Sequence, residues 1–100
     1  MQFLTVVKVF DTRAGKQADQ ELREALGTRV QELMATGKVQ EAGFLGGMRG
    51  LFFLLEIESS EDLYGLLGPE IYGNCTVQAY PVIPLEKGAA LFQQWAEEGR

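Results

Sequence analysis

The sequence contains no histidine and only one cysteine, Cys75. Without histidine the chain lacks the commonest metal ligand, the usual haem ligand and the usual general base near neutral pH. It also cannot form a Ser-His or Cys-His nucleophile. A single cysteine excludes an internal disulfide and a multi-cysteine metal site within one chain. The sequence therefore argues against haem binding, a multi-cysteine metal site and histidine-dependent catalysis.

Positive charge is also scarce. Nine Lys and Arg residues stand against fourteen Asp and Glu residues, which gives a net charge of −5. This is the wrong sign for a nucleic-acid or anionic-membrane surface. No apolar run approaches the roughly 20 residues of a membrane helix, and residues 1–10 lack the features of a signal peptide. We expect neither nucleic acid nor membrane as a partner, and a cytoplasmic location.

The hydrophobic pattern predicts one domain over residues 1–100. A chain of this length has too little surface to build a second core, and its composition is globular. Residues 16–36 show apolar spacings of three and four, typical of a helix, and Gly37 ends that helix. The apolar side of this helix is predicted to hold Ala18, Leu22, Ala25, Leu26, Val30, Leu33 and Met34. Strands are predicted at residues 2–10, 38–45, 51–58 and 75–83.

The remaining segments complete the topology. Residues 11–15 supply turn formers, and the glycines of residues 46–50 permit a tight hairpin. Residues 59–62 resemble a capping box for a short helix that Gly68 and Pro69 close, with a loop to Asn74. Pro84 opens a last helix. The order β-α-β-β-α-β-α predicts an α+β, ferredoxin-like antiparallel sheet with helices on one face and an extra C-terminal helix.

Both faces of the predicted sheet carry apolar side chains. In the third strand Leu51, Phe53, Leu55 and Ile57 alternate with Phe52, Leu54, Glu56 and Glu58, and the first strand alternates similarly. A strand that is apolar on both sides is normally covered on both sides. The simplest cover is a second copy of the chain, packed face to face in a symmetric dimer. The alternative is a strand register that differs from this alternation.

From about residue 33 to residue 85 the chain resembles the muconolactone isomerase family of dimeric α/β barrels. The resemblance rests on a succession of short pieces, which are Gly37-Lys38, Gly46-Gly47, Glu56-Ile57-Glu58-Ser59, Glu61-Asp62-Leu63, Leu66-Leu67 and Pro84-Leu85. It implies a cofactor-free homodimer or larger ring that shifts a proton next to the carbonyl of an unsaturated lactone. Residues 39–44 depart from the family, whose second strand is richer in His, Arg and Trp. Function must therefore be argued from the site.

A proton shift of this kind needs a carboxylate base and a group that stabilises the developing enolate. Glu56 and Glu41 are the candidate bases, and Lys8 is the candidate cation. On an apolar strand face, burial would disfavour the charged form of Glu56, which suits a general base. The structural alternative is a cross-strand or intersubunit ion pair of Lys8 with Glu56 or Glu41.

Three further residues are candidates for substrate binding. Arg49 in the hairpin could hold a carboxylate with two parallel hydrogen bonds or could be solvated. Tyr80 could donate a hydrogen bond, and Phe52 could contact an apolar ligand. Cys75 is predicted to be a small buried hydrophobe, although a reactive thiol is the alternative. Phe92 and Trp95 are predicted to anchor the last helix on a neighbouring subunit or the core.

Two functions follow from this sequence. The first is a homo-oligomer that binds a small apolar acid or lactone and isomerises it by proton transfer. The second is a non-catalytic dimeric barrel that serves in assembly or ligand binding. Haem chemistry and nucleic-acid binding rank below both.

Overall fold

The computed structural model describes residues 1–10 and 16–99, so the predicted turn at residues 11–15 lies outside the described residues. Within them the chain forms an α+β fold whose element order is the predicted one. The elements are β1 (Gln2–Val9), α1 (Lys16–Ala35), β2 (Val39–Phe44), β3 (Gly50–Glu56), α2 (Asp62–Asn74), β4 (Cys75–Pro81) and α3 (Leu85–Glu98).

The four strands form one antiparallel sheet in the order β2-β3-β1-β4, which is compatible with a ferredoxin-like fold. In the central pair, Thr5 lies opposite Phe53 and Val6 lies opposite Phe52. Since successive side chains point to opposite faces, this register separates the two apolar sets as the sequence predicts. The alternation expected for the first and third strands is therefore confirmed.

The core lies between one face of the sheet and helices α1 and α2. Phe53, Leu55, Leu33 and Leu67 have no exposed surface, and the core also contains Phe3, Val7, Ile57, Leu63, Ile71 and Cys75. On α1 the buried side is narrower than predicted. Ala25 is exposed, and Met34 is 49% exposed, because α1 contacts the sheet along one line through Leu26, Val30 and Leu33.

The first segment of α2 ends at Gly68, as predicted, but the predicted loop to Asn74 is wrong because a second helical segment follows directly. The helix kinks at Gly68, whose φ of 77° a residue with a side chain rarely adopts, and then continues to Asn74. Pro69 begins the second segment, where its missing amide costs no hydrogen bond. The Arg29 guanidinium donates hydrogen bonds to the carbonyl oxygens of residues 65, 66 and 67 at the kink. One arginine of α1 thereby satisfies the carbonyls that the break exposes.

The start of α2 also differs from the predicted capping box. Glu61 precedes the helix and makes no side-chain capping bond. Instead, the Asp62 carboxylate accepts hydrogen bonds from the amides of Glu58 and Ser59, while the Asp62 amide donates to the Ser59 carbonyl. The serine hydroxyls are not used because backbone turn bonds already satisfy the first amides.

Among the described residues, one buried side-chain polar atom has no hydrogen-bond partner. Thr5 is fully buried, and its hydroxyl has no hydrogen-bond partner among the described residues. An unsatisfied buried hydroxyl costs about 1–3 kcal/mol.

We expect Thr5→Val to raise the free energy of unfolding in urea by about 1 kcal/mol or more. Thr28→Val on the exposed side of α1, away from the sheet, is the control, with a change within about 0.5 kcal/mol. A loss of stability in Thr5→Val would contradict the account.

Helix α3 packs on neither the core nor its own sheet. None of its residues is buried, and Leu85, Phe92 and Trp95 are 86%, 69% and 57% exposed. The rings of Phe92 and Trp95 contact each other edge to face, with centroids 5.4 Å apart. Within one chain, Phe92 and Trp95 therefore do not anchor α3 on the core.

None of the described helices is long and apolar enough to cross a membrane.

Candidate functional site

The sheet face opposite α1 and α2, called the open face here, carries a block of apolar side chains. Leu4 lies opposite Leu54, and Val6 lies opposite Phe52, so the four residues are neighbours on the two central strands. Leu4 is 36% exposed, and the other three are partly buried. A side chain at Gly43 would come within 2.5 Å of Phe52 Cε1. The Phe52 ring thus lies over the Gly43 backbone and extends the apolar block to β2.

Polar residues border this apolar block on three sides. Tyr80 lies opposite Leu4 and is 50% exposed, Glu41 lies opposite Leu54, and Lys8 lies at the far end of β1 opposite Thr76. The side chains of Lys8 and Glu41 form no hydrogen bond or ion pair with the described residues. The open face therefore combines an apolar centre with a carboxylate, an ammonium and a phenol at its margin.

Glu41 reaches the open face through an irregularity that the sequence did not predict. Val39 lies opposite Leu55 on the core side, and Glu41 lies opposite Leu54, so the register shifts at Gln40. A bulge of this kind places two successive residues on the same side of a strand. The Gln40 side chain accordingly bonds Gln2 and Glu56. Glu41 therefore shares its side of β2 with Gly43 and not with Val39.

Glu56 lies at the other end of the open face, in an ion pair that differs from the predicted ones. Its carboxylate accepts hydrogen bonds from the terminal ammonium of Met1 at 2.7 Å and from Gln40 at 3.5 Å. Glu56 lies opposite Gln2, six residues from Lys8 along β1, which corresponds to about 20 Å. Lys8 and Glu56 therefore do not pair within one chain.

The ion pair between Glu56 and the terminal ammonium allows us to predict how Glu56→Gln changes the stability. The carboxylate and the ammonium are about half exposed, so solvent screens their attraction. We expect a loss of no more than about 0.5 kcal/mol in the free energy of unfolding. Thermal melting checks the result, with Glu58→Gln, which leaves this pair intact, as the control. A clear gain in stability would instead indicate a carboxylate kept for function at a structural cost.

A second concave surface, the hairpin groove, lies on the helix side of the sheet, between α1 and the β2–β3 hairpin. Its volume is about 600 Å³. Eleven residues line it: Val9, Arg23, Leu26, Gly27, Val30, Gln31, Phe44, Met48, Arg49, Gly50 and Leu51. The lining is mainly apolar, with two guanidinium groups and one amide. Arg49 thus lies apart from the open face, where the other five predicted site residues lie.

The backbone of the hairpin fixes the position of Arg49. Its carbonyl accepts a hydrogen bond from the Val9 amide at 2.9 Å, and the Leu45 amide donates to the Gly50 carbonyl at 3.0 Å.

Burial raises the pKa of the Cys75 thiol, and the positive charge of Arg49 offsets part of that rise. Cys75 is 4% exposed and belongs to the core cluster. These properties favour the buried-hydrophobe interpretation of Cys75 over a reactive thiol.

The α+β domain thus has two candidate functional surfaces, which are the open face and the hairpin groove. Among the described residues no three acidic or cysteine side chains come together as a metal site. A comparison with protein-family models finds no match, and a comparison with curated protein sequences finds none either. The candidate function therefore depends on the chemistry of these two surfaces.

Sequence reasoning missed most of the hairpin groove. Its two walls come from residues about 20 positions apart, so no local spacing brings them together. One signal was present, which is Gly27 within α1. A glycine in the interior of a helix costs up to about 1 kcal/mol relative to alanine, and such a residue often has a packing or functional reason.

Proposed function

We propose that the protein is a homodimer of the muconolactone isomerase type, in which two open faces pack together into a shared barrel. In this assembly a small apolar acid or lactone binds between the sheets, and a proton shift next to its carbonyl proceeds without a cofactor. The observation that carries the proposal is the apolar block of Leu4, Val6, Phe52 and Leu54 on an otherwise uncovered sheet face.

The hydrophobic effect supplies the reason for pairing. Removing apolar surface from water contributes about 25 cal/mol per Å², and a strand apolar on both sides is normally covered on both sides. A second copy offers the same block in a symmetric arrangement. Helix α3 supports the same assembly, because Phe92 and Trp95 remain mostly exposed on their own chain. We propose that they pack on the partner subunit.

The polar margin of the open face supports the chemistry. Glu41 is the base that we propose, since it borders the apolar block and makes no ion pair with the described residues, whereas Glu56 is held by the terminal ammonium. The carboxylate would remove a proton next to the carbonyl and return it at the conjugated position. Tyr80 and Lys8 are the margin groups that could stabilise the enolate oxygen.

A specific observation favours a second candidate, a non-catalytic dimeric barrel that binds a small ligand. Arg49, the residue expected to hold a substrate carboxylate, lies in the hairpin groove, across the sheet from Glu41 and Glu56. In this alternative the only role of Glu56 is to form the ion pair with the terminal ammonium.

Proton exchange separates the two candidates. The probe is 5-methyl-2(3H)-furanone, an unsaturated γ-lactone, in deuterated water, with deuterium uptake and double-bond migration followed by NMR against a buffer blank. We expect the protein to accelerate both, and Glu41→Gln to lower the rate by about 100-fold. Glu86→Gln on α3 is the control and should keep the rate. A rate equal to the blank would favour the non-catalytic candidate.

A further inference from the structure

The hairpin groove has the shape and lining of a small-molecule site. Its volume of about 600 Å³ lies within the range of about 300–1,000 Å³ typical of ligand pockets. Val9, Leu26, Val30 and Leu51 provide its apolar wall. At the mouth, Phe44 and Met48 are 87% and 51% exposed. Large apolar side chains beside a concave apolar surface favour a ligand that covers them.

The charge of the lining specifies the ligand further. The chain as a whole carries a net charge of −5, yet the described residues that line the groove include Arg23 and Arg49 and no carboxylate. A guanidinium has five donors in a planar fork that matches the two oxygens of a carboxylate. Because of these five donors, an arginine that already makes one contact can still bind an anion. The groove is complementary in charge to a ligand with one anionic end.

Gly27 provides an independent observation. It lies in the wall that α1 contributes, and a methyl group built on it would meet no atom within 4 Å. Packing within the chain therefore does not require glycine here, and the helix would be more stable with alanine. Open space above Gly27 is what a ligand body in the groove would occupy.

We propose that the hairpin groove binds a small monocarboxylate with an apolar body. The body lies against Val30 and Leu51 beside Gly27, and the carboxylate accepts hydrogen bonds from Arg49 and Arg23. All the lining residues come from one chain, and the groove lies on the opposite side of the sheet from the open face. This is a binding site separate from the one proposed between the sheets.

Isothermal titration calorimetry of the full chain tests the proposal with two probes of equal shape, 2-naphthoate and neutral 2-naphthamide. A hydrogen bond to a charged group contributes about 1.5–3 kcal/mol, which corresponds to at least about ten-fold in affinity. We expect naphthoate to bind at least about ten-fold more tightly than naphthamide. Equal affinity for the two probes would overturn the proposal.

Variants of the groove locate the binding. Gly27→Leu places a side chain in the groove and should weaken naphthoate by about ten-fold or more, whereas Gly27→Ala should bind within about two-fold of the original. Arg49→Gln and Arg23→Gln should each remove most of the preference for naphthoate over naphthamide. Lys38→Gln, an exposed cation away from the groove, is the charge control. Thermal melting confirms that each variant is folded, and unchanged binding in Gly27→Leu would overturn the assignment.

Two further measurements distinguish ligand binding in the groove from occupation of the groove by α3 of a second copy, and from the proposed dimer. A rise of about ten-fold or more in naphthoate affinity in Trp95→Ser would show that α3 of a second copy occupies the groove, and would overturn the small-molecule proposal. Light scattering on the same samples reports assembly independently. A monomer that binds naphthoate would contradict only the proposed dimer, and a dimer that does not bind it would contradict only the groove assignment.

Discussion

Phe52→Lys is expected to convert the proposed dimer into a stable monomer. Phe52 is central to the apolar block, with Val6 on one side and Gly43 on the other. In a dimer the lysine charge would be buried without a partner, and such burial costs several kcal/mol. At about 1.4 kcal/mol per ten-fold, dissociation should become at least about 100-fold more favourable. In the monomer the ammonium remains in water, so the fold should survive.

Light scattering gives the mass of the variant, and circular dichroism gives its fold. Met34→Lys is the matched control, since it adds the same charge at a half-exposed apolar residue of α1, away from the open face. It should keep the mass of the original protein. If Phe52→Lys keeps the dimer mass as well, the subunits do not meet through the open face.

Arg29→Met is expected to lower the free energy of unfolding by about 2–3 kcal/mol. The guanidinium donates to three successive carbonyl oxygens at the kink of α2, and hydrogen bonds from a charged donor contribute about 1.5–3 kcal/mol. Methionine keeps the length of the apolar stem but leaves those carbonyls without their donor. Urea unfolding followed by fluorescence of Trp95 and the tyrosines, or by circular dichroism, measures the change.

Glu32→Gln separates the kink from the ion pair that Arg29 also forms. Glu32 lies 3.0 Å from the guanidinium and is mostly exposed, so its loss should cost no more than about 0.5 kcal/mol. Equal losses in the two variants would mean that the ion pair, and not the carbonyl contacts, is what Arg29 contributes.

Much of the fold was predictable because it depends on local periodicity. The alternation in β1 and β3 correctly separated Thr5 and Phe53 from Val6 and Phe52. It also showed that one face would lack a cover. Helix α1 was predicted from its three- and four-residue spacing, although that spacing could not show how narrow the contact with the sheet would be.

The errors have physical causes that the sequence does not display. Gly68 followed by Pro69 is a typical helix stop and does break α2, but a second helical segment follows directly, and Arg29, 39 positions away from Gly68, donates to the carbonyls at the break. The bulge at Gln40 depends on the pairing of β2 with β3, so it moved Glu41 relative to Val39 without a local signal. The hairpin groove exists only because the fold places residues of α1 and of the hairpin around one cavity.

The most direct test of the account is the mass of the unmodified protein in solution at low micromolar concentration, measured by light scattering. We expect twice the chain mass of 11.1 kDa, or a larger even multiple of it. A mass of 11.1 kDa would contradict it, because the open face would then remain in water and no site could form between two sheets.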